Sequence, residues 1–275
     1  MDFPLSGKLA GHLIWLDQAS STNSQLIEAA QKKALPDFTV MATANQLSGR
    51  GRAGRSWEAP ANASLAISVL LKPKLTGTGG LSNLGWLPLL GGLAMSEAVA
   101  GLLEGVAKSE NRKTIGVKWP NDVLVDDLKI SGVLSELVSV GPSEAAVVVG
   151  AGINLSQAST ELPVPTATSL SIAGATLPEN LAERFDLVLA SYLERLTFWY
   201  QRFLATDLDP IASGLRQAVI ENCVSLGRQV RAILPGESEL VGKALTIDDA
   251  GRIVLSVNGL ATPVAAGDIV HLRHN

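Results

Sequence analysis

The chain is predicted to be an α+β protein, with a large mixed domain over residues 1–222 and a small all-β module over 223–275. Three observations lead there. Strand-like and helix-like stretches alternate through the first part, but short loops and hairpins join them, not the long crossovers of a parallel array. One helix late in that part carries a long apolar stripe. After it the pattern changes to short β-type runs separated by strong turn signals. Bulk composition agrees: 275 residues, 47% hydrophobic and 17% charged, suffice for a well-buried core and do not describe a disordered chain.

The first element is a short apolar strand, Leu13–Leu16. It leads into Ser20-Ser21-Thr22-Asn23-Ser24-Gln25, where Thr22 and Gln25 have capping-box spacing and Leu26, Ile27 and Ala30 form the apolar face of a helix. Phe38–Thr43 and Ala63–Leu71 read as strands. The second ends at Lys72-Pro73, and a Gly/Thr linker follows. Leu84–Leu103 is apolar apart from Glu97 and long enough to span a bilayer. However, it contains Pro88 and four glycines (Gly85, Gly91, Gly92, Gly101) without a close basic flank, so a buried core helix from about Leu87 to Ala107 is expected. Ile115–Trp119 is a further strand. Val123–Val125, a turn at Asp126-Asp127 and a strand from Lys129 onward form a hairpin. Ala145–Val149 is an apolar strand entering Gly150-Ala151-Gly152-Ile153-Asn154-Leu155.

Pro178–Phe203 is the clearest helix, with Leu181, Phe185, Val188, Leu189, Tyr192, Leu196, Trp199 and Phe203 at helical spacing. That stripe is core packing. A second helix is expected over Pro210–Ile220. The β module follows as Gln229–Leu234, Leu240–Ile247, Arg252–Val257 and Ile269–Leu272, with turns at Pro235-Gly236, Asp249-Ala250-Gly251, Asn258-Gly259 and Ala266-Gly267-Asp268.

Several function classes fall away on composition. A net charge of −4 argues against a nucleic-acid footprint, which needs a basic face. The one cysteine, Cys223, excludes an intrachain disulfide and fits a reducing, cytoplasmic compartment. The start Met-Asp-Phe-Pro has no basic region and apolar run of a signal peptide. The three histidines, His12, His271 and His274, lie near the chain ends and outside the motifs, so a zinc site is not expected. No Gly-x-Ser-x-Gly elbow or Walker lysine loop is present, and covalent catalysis has no evident nucleophile.

The stretch around which the chain is organised is Gln46-Leu47-Ser48-Gly49-Arg50-Gly51-Arg52-Ala53-Gly54-Arg55-Ser56-Trp57. It puts three arginines and three glycines into seven residues. Glycine lets the backbone approach a ligand closely, and arginine supplies a planar fork suited to phosphate and carboxylate. The string also satisfies Gly-x-Gly-x-x-Gly, but a strand follows it where a dinucleotide fingerprint requires a helix. It is read as an anion loop, mobile over Ser48–Ser56 when no ligand is present because glycines loosen it and arginines repel one another.

With the loop, Lys118 and Lys129 complete a set of cations, accompanied by Gln46, Asn121, Asp122 and Asn154. Such a set can hold a carboxylate beside a polyphosphate and stabilise charge as one attacks the other. Asp122 is the motif carboxylate placed to help hold a magnesium–phosphate complex. Plainer readings exist for two motifs: Ser21-Thr22-Asn23 also serves as helix capping, and Lys118-Trp119-Pro120-Asn121-Asp122 also makes a structural turn.

Taken together, the Gln46–Trp57 loop, Lys118-Trp119-Pro120-Asn121-Asp122, Lys129-Ile130-Ser131-Gly132-Val133-Leu134-Ser135-Glu136 and Gly150-Ala151-Gly152-Ile153-Asn154 resemble biotin–protein ligases in order and spacing. Ser21-Thr22-Asn23 and Ala167-Thr168-Ser169-Leu170 fit the same family, and the resemblance covers nearly the whole chain. It implies a catalytic domain similar to class II aminoacyl-tRNA synthetases followed by an SH3-like β-barrel. It implies ATP, magnesium with the ATP, and biotin, whose carboxylate attacks the α-phosphate to give biotinyl-5′-AMP. The acceptor is then a lysine of a biotin carboxyl carrier domain of a carboxylase.

By matched position, Ser21, Thr22, Asn23, Gln46, Arg50, Lys129 and Gly132 are expected to bind biotin. Arg50, Arg52, Arg55, Trp57, Lys118, Asn121 and Asn154 are expected to bind ATP and the adenylate. Trp57 would stack on adenine, and Lys129, Arg52 and Lys118 would carry catalysis, with Asp122 toward magnesium. The family includes monomers and dimers, and also repressors with an N-terminal helix-turn-helix domain. Only about a dozen residues precede the first strand here, too few for that domain; neither nucleic acid nor membrane is expected as a partner. The rival readings are a lipoate–protein ligase or octanoyltransferase, and a non-catalytic biotin or adenylate binder.

Overall fold

The computed structural model describes residues 1–75, 80–104, 113–141, 143–236 and 238–272. In chain order its first part contains β1 (His12–Trp15), α1 (Thr22–Lys32), β2 (Thr39–Thr43), the two-residue strands β3 (Gly49–Arg50) and β4 (Ser56–Trp57), and β5 (Ser64–Leu71). Then come α2 (Leu87–Leu103), β6 (Ile115–Lys118), β7 (Asp122–Val125), β8 (Leu128–Val140), β9 (Ala145–Asn154), α3 (Leu181–Ala205) and α4 (Leu215–Asn222). Seven of these strands form one sheet in the order β1-β2-β5-β9-β8-β7-β6. Only the β1–β2 pair is parallel; the others are antiparallel, as hairpin-rich connections predict.

Alternation along the central strands sorts their side chains between two faces. Leu65, Ile67, Val69 and Leu71 of β5, with Val147, Val149, Ala151 and Ile153 of β9, join the main core against α2 and α3. The aromatic stripe of α3 lies there as the spacing predicts, with Phe185, Tyr192 and Phe203 fully buried. The opposite face is divided. Under α1 it is apolar, where Leu26 meets Met41, Leu70, Ala146 and Val148. Farther along, the same face carries Ser68 and Ala66, then Gly150, Gly152 and Gly132 across the neighbouring strands. Large side chains stop there, and the sheet floors a hollow.

The second sheet is antiparallel and five-stranded, in the order β13-β12-β11-β10-β14. Its strands are β10 (Gln229–Ile233), β11 (Glu239–Ile247), β12 (Ile253–Val257), β13 (Leu260–Val264) and β14 (Asp268–His271). Val230, Ile247, Ile253 and Leu255 are continuous with the main core. Two indole donors tie the first part of the chain to the turn between β11 and β12: Trp86 Nε1 donates to Asp249 O at 2.9 Å and Trp119 Nε1 to Gly251 O at 3.0 Å.

Several elements differ from expectation for identifiable reasons. The cap of α1 is Ser21, whose hydroxyl accepts from Ser24 N, and Thr22 is already helical. The helix expected from Pro210 begins at Leu215, because Asp209 Oδ1 draws the N–H groups of Ile211 and Ala212 into a turn and Gly214 is left-handed. β9 continues through Gly150–Asn154 as strand. β13 was not anticipated. The end of the predicted helix at Ala107, much of the Gly/Thr linker and His274 lie outside the described residues. Among the described residues, one helical stretch, Gly80–Leu103, is long and apolar enough to cross a membrane, and 72% of its most apolar window is buried in the protein.

Candidate active site

The hollow lies where the N-terminus of α1 points over the small residues of β5, β9 and β8. A helix start leaves backbone N–H groups without helical partners. Here Ser21 takes one, and Thr22 N donates to Gln46 Oε1 at 2.9 Å. Thr22 Oγ1 lies 3.3 Å from the same oxygen. Asn23 Nδ2 donates to Leu134 O at 3.0 Å and to Glu136 Oε2 at 2.8 Å, while its Oδ1 accepts from Ser68 Oγ at 2.6 Å. The amide sits directly over Gly150, and a Cβ there would overlap it. The resulting cavity, about 110 Å³, is lined by all seven residues expected to bind biotin: Ser21, Thr22, Asn23, Gln46, Arg50, Lys129 and Gly132.

The arginine loop folds as a minimal hairpin, with Gly49 paired to Trp57 and Arg50 to Ser56 around a tight turn at Arg52–Gly54. The expected repulsion between its arginines is answered by separate partners. Arg50 pairs with Glu136 at 2.7 Å, Arg55 with Asp268 at 2.9 Å, and Arg52 Nη2 donates to Gly267 O at 3.3 Å. Trp57 leaves the hairpin across Gly152, where a Cβ would lie 2.5 Å from the ring carbon Cε2. Lys129 Nζ is 5.8 Å from the centre of that ring. Trp57 Nε1 and Arg52 Nε are buried without hydrogen-bond partners.

Beyond Trp57 lies a larger cleft, about 1160 Å³, between the main sheet and the second sheet. Its lining includes Lys118, Asp122, Asn154, Ala167, Arg228 and His271, and it shares Arg55, Ser56, Trp57 and Lys129 with the small cavity. Lys129 stands next to the tight Asp126-Asp127 turn, and its ammonium pairs with Asp122 Oδ1 at 2.7 Å. Burial pushes Lys118 below the usual lysine range; the Asp122 carboxylate works against that shift and the Lys129 ammonium adds to it. A lysine desolvated next to other cations is poised to receive an anion.

The structure therefore brings the expected residues together, and Asn121 and Asn154, like Asn23, have their amides engaged by the protein. Of the residues expected to bind ATP, Arg50, Arg52 and Asn121 line the small cavity, not the cleft, and Asn121 Nδ2 donates to Val133 O at 2.9 Å. Asn154 reaches the cleft with Nδ2 given to Thr168 O at 2.9 Å and Oδ1 accepting from Gln157 Nε2 at 3.0 Å. Sequence reasoning overlooked Ser68, Glu136 and Asp268, which satisfy the pocket amide and the loop arginines. Glu136 closes the Lys129–Glu136 motif, which was its available signal; Ser68 and Asp268 have none in the local sequence.

Comparison with known proteins extends this picture. Residues 15–154 match the Biotin/lipoate A/B protein ligase family, and residues 225–272 match the Biotin protein ligase C terminal domain. The chain is 37% identical over 257 residues to the biotin–[acetyl-CoA-carboxylase] ligase of Mycobacterium tuberculosis, covering 93% of this chain and 87% of that one. It is 32% identical to the ligase of the same name from Paracoccus denitrificans, over 87% of this chain and 92% of the relative. The biotin protein ligase of Aquifex aeolicus, solved in complex with biotin and ATP, superposes with a TM-score of 0.70 at 27% identity, covering 96% of this chain and all of the other.

Proposed function

The chain belongs to the biotin/lipoate A/B protein ligase family, and from that premise we propose how its residues carry out the reaction. It is an ATP-dependent biotin–protein ligase, with a catalytic domain of the class II synthetase type and an SH3-like C-terminal domain. In the first step a biotin carboxylate oxygen attacks the α-phosphorus of ATP, the α–β phosphoanhydride bond breaks, and pyrophosphate leaves. In the second, a lysine amine of a carboxylase carrier domain attacks the acyl carbon of biotinyl-5′-AMP. AMP departs and the amine proton passes to solvent.

The observation that supports this assignment of roles is the shared wall. A small cavity with a polar end meets a large cleft at Lys129, Arg55 and Trp57. Biotin is assigned to the cavity, its ureido head toward Ser21, Thr22, Asn23 and Gln46. The nucleotide is assigned to the cleft, its base toward Trp57 and Asn154, and its phosphates toward Lys118 and the loop arginines. Carboxylate and α-phosphate then meet at Lys129, which neutralises charge as the pentacoordinate phosphorus forms. The unpartnered Arg52 Nε supports an anion in the loop, since a buried donor is costly without an acceptor. The enzyme contributes positioning and electrostatics, with no covalent enzyme intermediate.

Magnesium enters only with the nucleotide. Among the described residues no group of three His, Cys, Asp or Glu converges on a resident metal site, and Asp122 is engaged by Lys129. One carboxylate does fit a metal held chiefly by phosphate oxygens, which would supply further charge neutralisation there. We place the domain division at Cys223, where α4 ends, and the enzyme in the cytoplasm, in keeping with that lone buried thiol.

The test is ATP–pyrophosphate exchange with biotin, lipoate or no acid. Exchange is expected with biotin alone. Lys129→Ala is expected to lower it by about 10²–10³-fold, the scale of losing one charge-stabilising donor. Near-normal exchange in that variant would remove Lys129 from the mechanism, and exchange with lipoate would overturn the assignment of the acid.

A further inference from the structure

Glu136 lies outside the residues that touch either assigned substrate position, yet two groups meet on its carboxylate through three hydrogen bonds. Arg50 Nη2 donates to Oε1 at 2.8 Å and to Oε2 at 2.7 Å, and Asn23 Nδ2 donates to Oε2 at 2.8 Å. The first belongs to the arginine loop, the second to the ligand-facing end of α1. Glu136 is the only described side chain that bonds both.

That position has a consequence for proton order in the small cavity. Both N–H groups of the Asn23 amide are taken, by Leu134 O and by Glu136. A flipped amide would set its oxygen against the Glu136 carboxylate, acceptor against acceptor, so Oδ1 is directed to Ser68. Ser68 has one proton for two neighbours, Asn23 Oδ1 at 2.6 Å and Thr22 Oγ1 at 2.8 Å. Spending it on the amide oxygen, which has no proton to give, leaves Thr22 to supply the proton of this 2.8 Å bond in preference to its longer 3.3 Å contact with Gln46 Oε1. The lone pairs of Thr22 then remain as acceptors at the cavity, the pattern needed by a ligand that brings N–H donors.

We propose that Glu136 is a positioning residue that couples closure of the arginine loop to the hydrogen-bond polarity of the small cavity. When the loop is down, Arg50 sits on the carboxylate and holds it against Asn23. When the loop lifts, the carboxylate is free to leave Asn23, and the order Asn23–Ser68–Thr22 is held by Leu134 O alone. Filling the cavity and closing the loop therefore favour each other, and by reciprocity each strengthens with the other. The inference rests on the assignment of biotin to the small cavity, but the latch itself is a property of the loop.

The experiment compares the wild-type chain with Glu136→Gln, Arg50→Gln and the double variant. Trypsin cleavage after Arg52 and Arg55 is followed by mass spectrometry with and without biotin, alongside exchange kinetics. Glu136→Gln keeps an acceptor for Asn23 but loses the ion pair. Loop cleavage without ligand is expected to rise about fivefold, the scale of a partly exposed ion pair. The protection conferred by biotin should shrink, and KM for biotin should rise about tenfold while KM for ATP changes less than twofold. The double variant should be cleaved no faster than either single one, because one contact is removed in each. Unchanged cleavage in Glu136→Gln, or equal rises in both KM values with a fallen Tm, would overturn the latch. Cleavage in the ligand-free protein reports on it even where exchange with biotin is absent, so failure of the latch and failure of the biotin assignment are distinguishable.

Discussion

Gly152→Ala asks whether the wall between the two cavities is set by a missing side chain. In the present geometry an alanine Cβ would lie 2.5 Å from Trp57 Cε2 and 2.9 Å from both Cζ2 and Nε1. Comfortable carbon contacts begin near 3.5 Å, so about 1 Å must be found. The strand has little to give: Gly152 is paired with Ala66 on one side and Gly132 on the other, in the middle of the sheet. The indole must therefore retreat, and it forms part of both cavities. A displacement of about 1 Å at a reacting geometry costs up to about 100-fold in rate. Biotin-dependent pyrophosphate exchange in Gly152→Ala is accordingly expected to fall about 10- to 100-fold, with a Tm near that of the wild type. The discriminating measurement is the double variant. Once Trp57→Ala has removed the ring, Gly152→Ala has nothing to collide with and should cost less than about twofold more. Wild-type exchange in Gly152→Ala, or losses that multiply in the double variant, would refute the reasoning.

Two further predictions concern stability. Asp186, buried on α3, accepts from Leu5 N at 2.9 Å, Ser6 N at 2.8 Å and Ser6 Oγ at 2.6 Å, and so ties the segment before β1 to the core. Asp186→Ala leaves the two Ser6 donors buried and is expected to cost about 2–4 kcal/mol, seen as a Tm lower by about 5–10 °C; an unchanged Tm would show that the contacts contribute nothing. His271 is held neutral, pushed down to about 4 from the ordinary 6.5 by burial and then by the Arg228 guanidinium. The unfolded chain thus takes up this proton before the folded one, so stability is full above pH 6.5 and declines as pH falls toward 4. The gap corresponds to about 3 kcal/mol at full strength, and solvent screening of a partly exposed ring brings it to about 1–2 kcal/mol. His271→Gln should flatten denaturant-measured stability across that interval, and equal slopes would rule out the assignment.

The parts of this protein legible in its sequence share a short range. The Asp126-Asp127 turn, the stripe of α3 and the clustered cations are set by neighbours a few positions away, and the structure places each as expected. What escaped depends on pairing over long separations. Ser68 is one hydroxyl in an apolar strand until the β5–β9 register sets it opposite Gly150, under Asn23. β13 was hidden because Pro263 reads as a strand breaker, but the strand pairs only with β12, and an edge strand tolerates a residue without an N–H. Asn258-Gly259 already carried the counter-signal, since such a turn demands a second strand after it. Gly150 and Gly152 show the deeper reason. A glycine-rich end to an apolar strand looks like the beginning of a loop, because glycine weakens an isolated strand. Here the loss is offset by what lies above it: Asn23 occupies the space over one glycine and Trp57 the space over the other. The same pattern governs charge. Local sequence concentrates Arg50, Arg52 and Arg55, while Glu136, Gly267 and Asp268, brought in from elsewhere in the fold, hold them in place and Asp122 pairs with Lys129 from the adjacent strand. A site for polyphosphate needs cations in excess, and cations in excess repel. Partners drawn from β7, β8, β14 and the turn before it let the cluster persist, with Arg52 and Lys118 left in excess for the anion it meets.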